Sequence, residues 1–124
     1  MRTLLSGAAF LIASVAAPAH GQQATERYIP LGQSPGLSGK LTSIGEIAEA
    51  DPRARTLTLV EPAGPRTVRI TEKTRIFLDR TKLKQSNLTG TFADLQKGRR
   101  VEVKYEDPAQ KQTADWVKVE ITQP

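Results

Sequence analysis

The sequence predicts an all-β fold: a small six-stranded antiparallel barrel with one short capping helix. Apolar residues recur at every second position in six short runs, turn-forming residues separate most of these runs, and a single segment carries helix-capping chemistry instead. Successive side chains on a strand point to opposite faces, so a run of period two describes a strand buried on one side.

The first run, residues 40–50, is the least regular. Leu41, Ile44 and Ile47 stand three apart, and a bulge near Gly45 would return them to one face. In the second run Leu57 and Leu59 alternate with Thr56, Thr58 and Val60. Val68 and Ile70 alternate with Thr67 and Arg69 in the third, and Ile76 and Leu78 with Arg75, Phe77 and Asp79 in the fourth. In the fifth, Val101, Val103 and Tyr105 alternate with Glu102, Lys104 and Glu106; in the sixth, Val117, Val119 and Ile121 alternate with Trp116, Lys118 and Glu120. Turns fall at 51–54 (DPRA), 61–65 (EPAGP) and 107–110 (DPAQ). Proline presets φ in such turns, while Asp accepts backbone N–H groups at their first position. Short connections of this kind imply antiparallel neighbours. The exception is residues 91–98, where a Thr91-x-x-Asp94 capping pattern ends at Gly98. Phe92 and Leu95, spaced i and i+3, would bury together over one end of a barrel whose closure removes exposed sheet edges.

A length of 124 residues allows one domain. Residues 1–21 have the layout of a signal peptide: Arg2, an apolar stretch at 4–17 shorter than the about 20 residues that span a bilayer, Pro18, then small residues. Cleavage is expected near Gly21, after Ala19-His20-Gly21, with Ala17-Pro18-Ala19 as the alternative site. The expected location is the periplasm or the medium, and no second apolar stretch would give the mature protein a membrane span. Residues 22–39, with three Gly, two Pro and no hydrophobic period, read as a flexible N-terminal arm. Its one sticky patch, residues 28–31, would pack on the domain or on a partner. Residues 40–122 form the expected barrel.

The chain has no cysteine, and His20 and Met1 are its only histidine and methionine. That excludes disulfides, iron–sulfur clusters, thiolate metal sites and cysteine nucleophiles. A copper site would have Trp116 but neither Met nor His in the mature domain; cleavage after Ala19 would leave His20 as an N-terminal chelator without a second histidine. Glu46, Glu49 and Asp51 lack the ligand spacing of a Ca²⁺ loop. Ser34 and Ser38 lie near Lys40, but in an arm unsuited to hold a nucleophile against a base. No Gly-rich phosphate loop sits between a strand and a helix. Asn87-Leu88-Thr89 matches a glycosylation acceptor by coincidence. No catalytic residue, metal or cofactor is expected.

Basic residues are the one non-random surface signal. Arg53 and Arg55 flank a turn, Arg66, Arg69 and Arg75 lie along the third and fourth runs, and Lys97, Arg99 and Arg100 surround Gly98. They read either as a face for an anionic envelope polymer or acidic partner, or as ordinary solubilising charge. By the alternation, Phe77 and Trp116 point outward beside Arg75 and Lys118. Arg69, Arg75, Phe77, Trp116 and Lys118 are therefore the candidate ligand or partner surface, unless residues 28–31 cover the aromatics. Export argues against nucleic acid as the ligand.

The blocks Gly39-x-Leu41, Ile47-x-x-x-Asp51, Arg55-Thr56-Leu57-Thr58-Leu59, Thr67-Val68-Arg69-Ile70, Thr74-Arg75-Ile76, Phe92-x-Asp94-Leu95-x-x-Gly98-x-x-Val101-x-Val103 and Ala114-x-x-Val117-x-Val119 form a series. It resembles the small exported bacterial β-barrel domains of unknown function, which are OB-like. These motifs are turns, core positions and a cap, so the resemblance implies an architecture and no catalytic residues. The expected function is that of a non-enzymatic exported module that binds or scaffolds a cell-envelope component. The alternative is a soluble periplasmic binder of an anionic ligand or polymer through its Arg/aromatic face.

Overall fold

The computed structural model describes residues 25–124. The expected signal peptide, its cleavage near Gly21 and the histidine at position 20 lie outside the described residues.

The described residues form seven strands: β1 Thr42–Asp51, β2 Thr56–Glu61, β3 Gly64–Arg69, β4 Arg75–Asp79, β5 Leu88–Thr89, β6 Arg100–Tyr105 and β7 Ala114–Glu120. They make one sheet in the order β3-β2-β1-β6-β7-β4-β5. The fold is all-β, and each of the six alternating runs is a strand. The expected closed six-stranded antiparallel barrel is corrected in three respects. There are seven strands, the order is open with β3 and β5 at its edges, and β4 pairs with β7 in parallel. The seventh strand, β5, has two residues and leaves no alternation to read. The parallel pair arises because residues 70–74 do not reverse the chain into a hairpin. They form a turn closed by Thr74 N–H on the Thr71 carbonyl at 3.1 Å, and β4 emerges beside β7 rather than beside β3. At the far end of β3, the Arg69 N–H donates to the Gln112 carbonyl at 2.8 Å, and Arg69 makes a single parallel bridge with Thr113.

Two local expectations also shift. The bulge in β1 falls between Ile47 and Glu49, not at Gly45. Gly45 serves a different need: a Cβ there would stand 2.3 Å from the Val60 carbonyl oxygen, so the close approach of β1 to β2 admits no side chain. The capping helix is a 3₁₀ turn of three residues, Phe92–Asp94, in which Asp94 Oδ2 accepts the Thr91 N–H at 2.8 Å. Leu95 already leaves helical geometry, so the segment never completes an α-turn. The turn chemistry holds: Asp51 Oδ1 accepts the N–H groups of Arg53 and Ala54, and Asp107 Oδ1 accepts that of Ala109.

The inner face of the sheet is aliphatic. Leu57, Leu59, Val68, Val101, Val103, Val117 and Val119 are fully buried in one cluster, with Leu95 and the half-buried Phe92 of the 3₁₀ turn packed against it. Each such side chain contributes about 1.5–3 kcal/mol relative to exposure. Tyr105 reaches the same cluster and donates its hydroxyl to Ser43 Oγ at 2.6 Å. Over the other face of β6, β7 and β4 lie residues 25–41, a series of turns whose Leu31 is buried.

Candidate functional site

Strand register decides which side chains meet on the outer face. One row across the sheet is Ile44, Glu102, Lys118, Phe77 and Thr89, on β1, β6, β7, β4 and β5 in turn. The next row holds Thr42, Lys104, Trp116 and Arg75. Alternation therefore placed Arg75, Phe77, Trp116 and Lys118 on the correct common face. Alternation alone leaves open whether that face meets water, and the alternative to an open surface is a face covered by residues 28–31. Phe77 is 5% exposed, Trp116 4% and Lys118 0%. The Phe77 and Trp116 rings pack with centroids 6.3 Å apart, and the Lys118 ammonium sits 4.8 Å from the Trp116 ring centre. These three are not an open ligand surface; only Arg75 of the four stays exposed. Arg69 does not join them. It lies at the end of β3, lining a separate hollow with Arg55 and Glu72.

The contact between arm and sheet is built from charges. Burying an ion costs several kcal/mol unless a partner meets it, and here every buried charge has one. Lys118 Nζ lies 2.7 Å from Glu26 Oε1, which also accepts the Ser34 hydroxyl. Glu102 Oε1 accepts the Gly32 N–H at 2.8 Å, and its Oε2 accepts the hydroxyls of Ser38 at 2.5 Å and Thr42 at 2.8 Å. Asp79 Oδ2 accepts the Leu31 N–H at 2.8 Å, and its Oδ1 that of Thr81 at 2.9 Å. Burial pushes the Asp79 carboxyl up. The donors of Leu31 and Thr81 and the Lys118 charge outweigh it, holding the group below its ordinary value. Ser34 and Ser38 thus direct their hydroxyls to carboxylates, and neither forms a pair with Lys40.

Sequence reasoning missed Asp79 and Glu102, because an acidic residue at an alternate strand position normally faces water, and Glu26, because it lies in a segment without a period. Two large aromatics on that same polar face raise the alternative of a cover, but not the charges that fasten it.

Where the arm meets β4 and β5, a groove of about 460 Å³ remains open. Arg27 and Tyr28 form its arm wall, Thr74, Arg75, Ile76 and Phe77 come from β4 and the residue before it, and Thr89 and Gly90 form the far side. Asn87 Nδ2 donates to the Arg27 carbonyl at 3.0 Å and fixes the arm there. The Arg27 guanidinium stacks 4.7 Å from the centre of the Tyr28 ring and donates from Nη2 to its hydroxyl. Its Nε is buried without a hydrogen-bond partner among the described residues. The Arg75 side chain makes no hydrogen bond or ion pair among the described residues. Two further polar groups are committed: Thr74 Oγ1 donates to the Ala114 carbonyl at 2.8 Å, and the Gly90 N–H to that of Ile76 at 2.8 Å. A Cβ on Gly90 would stand 2.7 Å from Leu78 Cδ2 and 2.8 Å from Asp94 Oδ2, so this wall stays bare. The groove thus offers two guanidinium groups and no carboxylate.

Among the described residues no group of three or more His, Cys, Asp or Glu could hold a metal ion, and no helix is long and apolar enough to cross a membrane. Comparisons with protein-family models, with curated proteins and with solved structures find no match for this chain.

Proposed function

We propose that the chain is an exported, non-enzymatic module that binds an anionic cell-envelope component in the groove between its arm and β4. The observation that carries this reading is the pairing of Arg27 and Arg75 in one groove with no acidic side chain to neutralise them. Guanidinium groups are permanently charged and present planar forks to oxyanions, so an unneutralised pair favours an anion.

The same proposal includes an OB-like frame, partly open in the manner of that fold. In it, β3 and β4 act as two halves of one bent strand, giving five strands with β1, β2, β6 and β7. Three facts support this: the link of residues 70–74, the Arg69–Thr113 bridge, and an apolar cluster that unites Val68 of β3 with Ile76 of β4. In a flat sheet, strands five places apart would stand about 24 Å from each other and could not share that cluster.

Titration of the purified chain with short anionic envelope glycans, at low and at high salt, tests the reading. Binding that weakens steeply with ionic strength and falls at least tenfold in Arg75→Ala is expected. Salt-independent binding, or binding unchanged by Arg75→Ala, would contradict it. The export part has its own check: the secreted form should begin at Gln22, and recovery of intact Met1 would remove it.

A further inference from the structure

We infer that the groove takes a phosphomonoester carrying a short apolar or aryl body, an assignment that rests on the anion-binding reading above and narrows it. The size comes first. About 460 Å³ accommodates a small molecule or one headgroup rather than a length of polymer. Charge comes second. A carboxylate, with one negative charge and two oxygens, is saturated by a single guanidinium fork. A phosphomonoester carries about −1.5 to −2 at neutral pH with three acceptor oxygens. That matches two guanidinium groups, one of which holds a buried Nε–H with no acceptor. The amphiphilic body follows from the rest of the site. Ile76 and Phe77 line the groove, and the ring of Tyr28, 62% exposed, flanks it on the arm wall. An anion without an apolar part would leave the Tyr28 ring in water.

Calorimetric titration of the purified full chain tests this with hexyl phosphate, inorganic phosphate and heptanoate as probes. Vesicles of phosphatidylcholine with and without phosphatidic acid form a parallel arm. Hexyl phosphate should bind at least tenfold tighter than inorganic phosphate and than heptanoate. Arg75→Gln should weaken it at least tenfold, and Arg27→Lys, which keeps the charge but removes Nε, several-fold. Thermal melts of both variants that match the parent exclude misfolding as the cause. Binding of the soluble ester identifies a free phosphate ester as a sufficient ligand. Binding confined to phosphatidic acid vesicles identifies a lipid headgroup; both support the shared chemistry. Heptanoate binding as tightly as hexyl phosphate, or hexyl phosphate affinity unchanged in Arg75→Gln, overturns the assignment. If anionic glycans bind through Arg75 while no phosphomonoester does, the ligand class fails and the anion-binding reading stands. If no anion binds, both fail.

Discussion

The β2–β3 hairpin and the β6–β7–β4 sector carry the same alternation of apolar and polar residues and end in different surroundings. In the hairpin, Leu57, Leu59 and Val68 are fully buried, while Val60 and Thr67 face water and Thr58 and Thr67 pair their hydroxyls across the strands at 3.0 Å. In the other sector the inner residues are equally buried, but so are Glu102, Trp116, Lys118 and Phe77 on the opposite face. Alternation assigns a side chain to a face. Whether that face meets water depends on chain elsewhere, here residues 25–41, which have no period of their own.

The two layers also cohere differently. The inner layer is held by apolar burial, which is lost only when the strands separate. Of the described arm residues, Leu31 alone is a buried hydrophobe; the remaining ties are hydrogen bonds and an ion pair. Such bonds exchange with water at a net cost of about 0.5–3 kcal/mol each. The arm should therefore open before the core does.

Removing core volume gives the largest effect. Leu59→Ala should cost about 2–5 kcal/mol in a single cooperative denaturation, whereas Thr58→Ala, one residue away on the other face, should cost within about 0.5 kcal/mol. Equal losses would erase the difference between the faces of β2. Next comes Glu26→Ala, which leaves the Lys118 ammonium without its carboxylate. Removing one partner of a buried pair can cost about 3–5 kcal/mol. Here the loss is capped by the smaller cost of releasing the arm and hydrating Lys118, at about 1–3 kcal/mol. Amide exchange at Leu31 and Gly32 should accelerate while β6 and β7 stay protected. Accelerated exchange throughout the sheet would mean that the arm is part of the core's cooperative unit.

A smaller contrast is expected with pH. The Asp79 carboxyl is held below its ordinary 3.8, so its contribution is complete above that value and is lost as pH falls through the lower folded one. Acid should loosen the arm, and Asp79→Asn should remove that step. Tyr105 moves the opposite way: burial raises its phenol above 10.0, favouring the neutral form, so the core loses stability as pH climbs past that value. The smallest effect belongs to the partly exposed Lys104, whose ion pair with Asp115 at 2.9 Å should be worth about 0.2–1 kcal/mol by double-mutant cycle.

The legible part of this fold was what depends on neighbours in sequence. The six longer strands, the Asp-led turns and the Thr91/Asp94 cap all follow from spacing within a few residues. The parallel β4–β7 pairing was hidden because it joins residues 75–79 to residues 116–120 without a hairpin to announce it. Within the candidate site, Arg75 and Phe77 were readable from the alternation of β4. Arg27 was not, since its place is set by Asn87, sixty residues away. The roles of Glu26 and Glu102 were hidden because their partners, Lys118 and the donors of the arm, are remote or belong to a segment without pattern.

Trp116 is the only tryptophan in the chain and is buried against Lys118, which pairs with Glu26 of the arm, so its fluorescence reports on whether the outer face is covered. Acrylamide quenching should be weak in the intact chain and should rise several-fold when residues 28–31 are deleted, with the β-sheet circular dichroism retained. A tryptophan already as quenchable as free indole, or one unaffected by the deletion, would contradict the covered face on which the groove depends.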